Sequence, residues 1–148
     1  MCLENDPEEV KKLLNKNRID CYKMVDYYNK ELCSIYRVYK YKPDWNYSDS
    51  TADNPSFYYE SIYKGMYVFL HKPQLDNNRN FYYFNDQHVL VPCGNQFDFS
   101  YQFTIGYRLI RCKAFISDLI GANKREAVFK KIYIPKVNYR GTISKIVA

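Results

Sequence analysis

The sequence predicts an α+β domain in which one N-terminal helix packs on a mostly antiparallel sheet of five to seven strands. Two observations lead to this prediction. Residues 6–14 have the capping pattern of a helix, and the chain after residue 18 is rich in aromatic and β-branched residues without a second helical period. A chain of 148 residues that is 47% hydrophobic can bury one sizeable core, so we expect a single domain over residues 1–148.

The helix is predicted over about residues 7–16. Asp6 is a good N-cap, Pro7 suits the first helical position, and Glu9 stands where a capping-box glutamate would bond back to the cap. Its apolar residues form one narrow face, consisting of Val10, Leu13 and Leu14. A helix of this length is marginal in isolation, so we expect this face to dock on the rest of the domain.

The sheet is predicted over about residues 18–134, where several segments are rich in strand-forming residues. These segments are residues 19–25, 32–41, 61–70, 81–91, 97–116 and 127–134. Polar stretches rich in Asp, Asn, Ser and Pro separate some of them, and the longest, residues 43–55, is predicted to be a surface loop. Residues 135–148 follow the last segment as a C-terminal extension.

Charge and hydropathy limit the classes of protein that fit this sequence. Twenty-two Lys and Arg against sixteen Asp and Glu give a net charge of +6, which favours acidic partners but is modest for a dedicated nucleic-acid-binding protein. No apolar run approaches the ~20 residues that span a bilayer, and the acidic N-terminus lacks the apolar core of a signal peptide. We therefore expect a cytoplasmic protein that does not bind membranes.

The cysteines and histidines do not form a recognisable chemical motif. The five cysteines are dispersed without a C-x-x-C pair, so we interpret them as free thiols that act as small hydrophobic residues. His71 and His88 are interpreted as structural histidines, and the sequence leaves open a nucleophile pair of Cys93 with either of them. There is no glycine-rich phosphate loop, G-x-S-x-G or H-E-x-x-H motif. We expect no metal or other cofactor, and a binding protein is favoured over an enzyme.

The segment S-I-Y-R-V-Y-K-Y at residues 34–41 is the main candidate for a binding surface. On one continuous strand it would present rings and cations on both faces, so neither face is typical of a dry core. Tyrosine rings can stack on bases, and the cations can contact phosphates. With the tryptophan of the next loop, the predicted binding residues are Tyr36, Arg37, Tyr39, Lys40 and Trp45. The alternative, a two-sided or edge strand with a loop-anchoring tryptophan, stays open.

Six short motifs follow one another along the chain. They are M-C-L-E at 1–4, R-I-D-C-Y-K at 18–23, S-I-Y-R-V-Y-K-Y at 34–41, Y-K-G-M-Y-V-F-L at 63–70, R-C-K-A-F-I at 111–116 and V-F-K-K-I-Y-I at 128–134. Together they resemble a family of small uncharacterised proteins of tailed phages and their gut-bacterial hosts. That family has an M-C-L start, a D-I-x-x-Y-K strand, an S-P-Y segment, a G-F-H element and a late cysteine-containing strand. The resemblance implies a phage-associated origin.

A phage-associated protein of this size, without catalytic motifs, is commonly a binder. Such proteins block a host enzyme or a defence complex, bind a signalling nucleotide, or decorate the virion. The favoured hypothesis is therefore a non-catalytic binding protein, either an inhibitor of a host or defence factor or a binder of a nucleotide ligand. We expect its partner to be a host or phage protein, with a nucleotide or nucleic acid as the alternative, in the host cytoplasm.

Other functional classes stay open. The order of the motifs loosely resembles ADP-ribosyltransferase-like folds, in which a late glutamate is catalytic, and the late candidate here is Glu126. A nucleic-acid-binding protein or a virion accessory protein is a further alternative, because the C-terminal quarter of the chain is basic. Its cations are Lys124, Arg125, Lys130, Lys131, Lys136 and Arg140.

Overall fold

An antiparallel sheet is the centre of the fold in a computed structural model that describes residues 3–28, 31–34, 39–72, 74–75, 81–84, 90–92, 107–140 and 144–145. The described strands are β1 (Leu3–Glu4), β2 (Arg18–Tyr28), β3 (Glu31–Cys33), β4 (Lys40–Tyr41), β5 (Asp44–Tyr47), β6 (Ser61–Ile62), β7 (Met66–Phe69), β8 (Gln74–Leu75), β9 (Phe81–Phe84), β10 (Leu90–Pro92), β11 (Tyr107–Phe115), β12 (Leu119–Ala122), β13 (Glu126–Phe129), β14 (Lys131–Ile134) and β15 (Ser144–Lys145). The described helices are α1 (Pro7–Leu13), α2 (Lys136–Arg140) and a short 3-10 helix, Ile116–Asp118.

The main sheet runs through seven strands in the order β12-β13-β7-β2-β11-β14-β5. Each neighbouring pair along this path is antiparallel. The short strands β3, β4 and β15 extend the sheet, while β1 and β6 form a separate ribbon and β8, β9 and β10 a separate three-stranded sheet. A short capped helix beside a large antiparallel sheet confirms the predicted α+β class.

β2 and β11 are the central pair, and they pair without a break from Arg18 opposite Phe115 to Asp26 opposite Tyr107. Because side chains alternate along a strand, one set from this pair points inward. The inward set includes the buried residues Ile19, Cys21, Val25, Ile110, Cys112 and Ala114. They belong to one cluster with the fully buried Phe129, so the core lies on one side of these two strands.

The chain turns a corner at Lys130, between β13 and β14. β13 pairs with β7, whereas β14 pairs with β11 and β5 in the other part of the sheet. The Lys130 N–H donates to the Asp118 carbonyl (2.8 Å), and the Lys130 carbonyl accepts from the Ser48 N–H (2.8 Å). The prediction of one strand over residues 127–134 is therefore wrong. The burial pattern changes at the same point, from uninterrupted burial in β13 to alternation in β14.

β3 and β4 pair with each other in antiparallel register, so the chain reverses direction within residues 32–41, which the sequence predicts as one strand. The Ser34 N–H donates to the Tyr39 carbonyl at 2.8 Å and extends this pairing. The intervening residues 35–38 lie outside the described residues. The prediction of a continuous strand is wrong, because tyrosine and β-branched residues favour extended backbone without determining which strand pairs with which.

Regular structure is present in the predicted loop 43–55 and in the C-terminal extension 135–148. β5 lies within the predicted loop 43–55 and pairs with β14, with Trp45 opposite Tyr133. α2 and β15 lie within the predicted extension 135–148, and β15 pairs with β11. The prediction of a loop is wrong for residues 44–47, whereas no secondary structure is predicted for the extension. These strands are short and their partners are distant in the sequence, so only the assembled sheet stabilises them.

α1 has the predicted N-cap but not the predicted capping box. The Asp6 side chain accepts a hydrogen bond from the Glu8 N–H at 3.0 Å. The Asp6 N–H donates to the Ala122 carbonyl (2.8 Å), and Glu9 instead forms an ion pair with Lys12 at 3.0 Å. The helix buries Pro7, Val10 and Leu13. Among the described residues, no helix is long and apolar enough to cross a membrane.

Asn5 is a buried amide that joins the N-terminal segment to two distant parts of the chain. Its Nδ2 donates to the carbonyls of Ser56 (3.1 Å) and Tyr58 (2.8 Å), and its Oδ1 accepts from the Ala122 N–H (2.8 Å). A Cβ atom at Gly121 would lie 2.6 Å from this Oδ1, so a larger residue there would displace the amide. The hydrogen bonds of Asn5 therefore depend on the close approach that glycine permits.

Candidate functional site

Four neighbouring strands, β2, β11, β14 and β5, have a second side that faces away from the core. Tyr133 is opposite Lys113 on one side and Trp45 on the other. Because alternate residues of a strand share a face, these registers define an outer face. It includes Arg18, Asp20, Tyr22, Trp45, Tyr47, Arg111, Lys113, Phe115, Lys131 and Tyr133. These side chains are exposed or half-buried, whereas intervening residues such as Cys112 and Ile132 are fully buried.

Trp45 is the aromatic centre of the outer face. Its ring centroid lies 5.3 Å from that of Tyr133, at an interplanar angle of 66°, and 5.6 Å from that of Phe115, at 37°. The Lys131 ammonium lies 4.5 Å from the Trp45 centroid and 5.8 Å from the Tyr47 centroid, within the range of a cation–π interaction. Trp45 thus contacts both the neighbouring rings and the cation.

The outer face combines exposed aromatic area with positive charge. Tyr47 is 56% exposed and Phe115 is 37% exposed. The Arg111 guanidinium lies 5.9 Å from the ring of Tyr22. Of the side chains that define this face, four are cationic, and one, Asp20 opposite Lys113, is acidic. Covering exposed rings is favourable in water, and cations attract anions, so the face suits a ligand that carries both flat rings and negative charge.

A buried amide fixes the turn that leads to Trp45. Asn46 is fully buried. Its Oδ1 accepts from the Lys42 N–H (3.0 Å), and its Nδ2 donates to the carbonyls of Lys42 (2.9 Å) and Asp44 (3.3 Å). Asp44 has a φ of 85°, in the left-handed region that costs a non-glycine residue about 1–2 kcal/mol. The Asn46 hydrogen bonds therefore hold a strained turn and orient β5.

The structure places one of the predicted binding residues, Trp45, on the outer face. It lies in a strand, not in the predicted loop. Tyr36 and Arg37 lie outside the described residues, so their predicted role stays a prediction.

Tyr39 and Lys40 are described, and their side chains contact other residues. The Tyr39 ring packs on Tyr41 with a centroid distance of 4.9 Å and contacts the core cluster, and burial raises the pKa of its phenol. Lys40 forms a surface ion pair with Glu31 at 3.3 Å. Tyr39 is also hydrogen-bonded to the backbone of Tyr47, in the strand that carries Trp45, and a binding role for Tyr39 and Lys40 stays a prediction.

Phe115, Lys131 and Tyr133 are not among the predicted binding residues, although the sequence around them has a simple pattern. In R-C-K-A-F and K-I-Y-I, polar or aromatic residues alternate with small or aliphatic ones. This period of two is typical of strands with one buried face, and it assigns Phe115, Lys131 and Tyr133 to the exposed face. Their proximity to Trp45 depends on sheet order, which no local pattern contains.

A buried polar cluster lies on the inner side of β2 and β11. Cys21 and Cys112 are direct cross-strand partners, and their sulfur atoms are 3.3 Å apart. The hydrogen bond to Cys112 and burial raise the pKa of the Cys21 thiol, which keeps it protonated and unreactive. The Lys23 ammonium donates to the Tyr67 carbonyl, and burial lowers the pKa of this lysine. The two thiols are part of the core, and the half-buried Lys23 is held by its hydrogen bond to Tyr67.

Glu126, the residue named in the transferase hypothesis, lies in the interior. It is 5% exposed, and burial raises the pKa of its carboxyl group despite the opposing effects of Arg125 and Lys23. A catalytic glutamate must contact its substrate, so this position gives the transferase hypothesis no support. That hypothesis stays a prediction.

Glu126→Gln is expected to stabilise the protein at neutral pH. A carboxyl group whose pKa is raised by folding favours the folded state below its ordinary pKa, and this contribution is lost as the pH rises through the raised pKa. Glutamine has nearly the same shape and carries no charge to desolvate. Urea unfolding at pH 7 and pH 4 tests this, because the gain in unfolding free energy should shrink at the lower pH. An equal difference at both values would contradict the burial argument.

The His, Cys, Asp and Glu side chains are the remaining candidates for a metal site in the part of the chain that the structure describes. No three His, Cys, Asp or Glu side chains there are arranged to hold a metal ion. His71 is exposed, whereas His88 and Cys93 lie outside the described residues, so the nucleophile-pair hypothesis stays a prediction.

Comparison with known proteins gives no match to a family model, a curated protein or a solved structure. The geometry of the outer face is therefore the main basis for a functional proposal.

Proposed function

We propose that the chain is a non-catalytic binding protein whose outer face binds single-stranded nucleic acid. The observation that carries this proposal is the arrangement around Trp45, which contacts two further rings and a lysine ammonium on one exposed side of a sheet. Proteins that bind single strands combine aromatic platforms for the bases with cations for the backbone. The outer face supplies both.

The exposed rings of the outer face suit a single strand better than a duplex. Bases in a duplex are stacked on one another and present only their edges in the grooves, whereas bases of a single strand can lie flat on exposed rings. The four strands of the outer face cover three inter-strand spacings of about 4.8 Å, or roughly 15 Å. This distance accommodates a few nucleotides of an extended strand, while Arg111, Lys113 and Lys131 contact phosphates.

The proposal is tested with short fluorescent oligonucleotides of RNA and DNA, single-stranded and duplex, at two salt concentrations. Binding by the outer face predicts tighter binding of the single strands at both concentrations, because stacking is less sensitive to salt than phosphate contact is. The proposal would be contradicted if the duplex bound as tightly as the single strands and all binding disappeared at the higher salt concentration. That result would indicate attraction by the net charge of +6.

A protein partner is the second candidate, and a different surface favours it. The segment around β6 exposes several large aromatic side chains, Phe57, Tyr58, Tyr59 and Tyr63. Exposed aromatic residues of this kind are enriched at binding hot spots. In a phage-associated protein, as the sequence resemblance implies, the partner would be a host enzyme or defence factor. Affinity capture that retains one stoichiometric host protein, together with no oligonucleotide binding, would favour this candidate.

A further inference from the structure

A cavity of about 430 Å³ lies between α1, the start of β2, the residues that follow β7 and the turn between β12 and β13. Its lining includes the apolar side chains of Leu13, Ile19 and Leu70. Its basic side chains are Lys12, Lys16, Arg18, His71 and Lys124. The cavity is large enough for a small ligand group, since ligand pockets typically span about 300–1,000 Å³.

The lining of the cavity is more positive than negative. Two carboxylates, Glu9 and Asp20, also line it. Glu9 forms an ion pair with Lys12 at 3.0 Å, so these two charges offset each other. Counted as formal charges, the lining has four cations, Lys12, Lys16, Arg18 and Lys124, against two carboxylates. A concave surface with an excess of positive charge attracts anions more strongly than a flat one does.

The cavity adjoins the outer face along β2. Arg18 lies opposite Phe115, and Asp20 lies opposite Lys113, on the neighbouring strand β11. Both Phe115 and Lys113 belong to the outer face, and Phe115 contacts Trp45. An extended ligand that crosses from β5 to β2 would therefore arrive at the cavity.

We propose that this cavity binds the terminal phosphate of the nucleic-acid strand that crosses the outer face; the inference rests on the proposed function. A terminal phosphate monoester carries about 1.5 to 2 negative charges at neutral pH, as phosphorylated side chains do, whereas an internal phosphodiester carries one. A chain end can enter a cavity, while an internal phosphate must leave a path for the chain on both sides. The ligand class is therefore a single strand with a phosphorylated end.

The test compares oligonucleotides of one sequence that carry a 5′-phosphate, a 3′-phosphate or only hydroxyl ends, with affinities measured by calorimetry. One phosphorylated form is expected to bind at least about tenfold more tightly, because hydrogen bonds between charged groups are among the stronger ones. The double variant Lys16→Gln/Lys124→Gln should lose this preference, while its affinity for the hydroxyl-ended strand stays close to that of the original protein.

The control is Lys11→Gln/Lys64→Gln, which removes the same charge from positions that do not line the cavity. It should keep the preference for the phosphorylated end. Equal affinities for all ends, with strand binding intact, would overturn the inference and leave the proposed function standing. A preference that survives Lys16→Gln/Lys124→Gln would overturn the assignment to this cavity, and failure to bind any strand would overturn both proposals.

Discussion

Trp45→Ala is expected to weaken the binding of single-stranded oligonucleotides by about thirtyfold or more, which corresponds to about 2 kcal/mol. The indole contacts Tyr133 and Phe115, and the Lys131 ammonium lies over its ring. Its removal therefore separates the aromatic surface into isolated rings and leaves the lysine without its aromatic neighbour. Fluorescence anisotropy titration measures the loss.

Two further variants separate binding from folding. Trp45→Phe keeps a flat ring and should retain part of the affinity, whereas Tyr59→Ala removes an exposed ring that is outside the outer face and should leave strand binding unchanged. Thermal unfolding of each variant gives the folded fraction. If Trp45→Ala lowers the melting temperature but keeps the original affinity per folded molecule, Trp45 is a packing residue and the outer face is not the binding surface.

Asn46→Ala is expected to lower the free energy of unfolding by about 3 kcal/mol or more, because it removes three hydrogen bonds in a fully buried position. Each buried backbone group left without a partner costs about 1–3 kcal/mol. The strained turn at Asp44 also loses its support. Since this turn leads directly to Trp45, the variant should reduce oligonucleotide affinity as well, beyond the loss of folded protein.

Asn5→Ala is the matched control for that variant. It also removes three side-chain hydrogen bonds from a buried amide, but it is distant from the outer face. Urea unfolding should give losses of similar size for the two variants, and titration of the folded fraction should show reduced affinity only for Asn46→Ala. Equal affinities would mean that Asn46 stabilises the fold without positioning Trp45.

The parts of the fold that depend on neighbouring residues could be predicted from the sequence. The start of α1 follows from Asp6 and Pro7, because an N-cap and a first-turn proline act within one helical turn. The sheet class follows from the many aromatic and β-branched residues. The alternation around Cys112 likewise assigns Arg111 and Lys113 to the exposed side of β11.

The parts that depend on distant residues could not be predicted. Whether residues 32–41 form one strand or two depends on which strands they pair with, and the corner at Lys130 depends on its hydrogen bonds to Asp118 and Ser48. Trp45 stands in a polar stretch typical of loops, and it lies in a strand because β14 pairs with it. The candidate site consists of residues from four strands that are far apart in the sequence. Local patterns indicate which of these residues are exposed, but they do not indicate which of them are neighbours in the sheet.

The central pairing of β2 with β11 also sets the order of events when the chain is made. Ninety-one positions separate Cys21 from its cross-strand partner Cys112. At a synthesis rate of about 5–20 residues per second, β2 leaves the ribosome roughly 5–20 s before the strand that completes it. During that interval β2, the longest of the described strands, lacks its main hydrogen-bonding partner, and an unpaired strand edge of this kind is a template for aggregation. A chaperone that binds extended segments would protect β2 during this interval, and faster synthesis would shorten the interval.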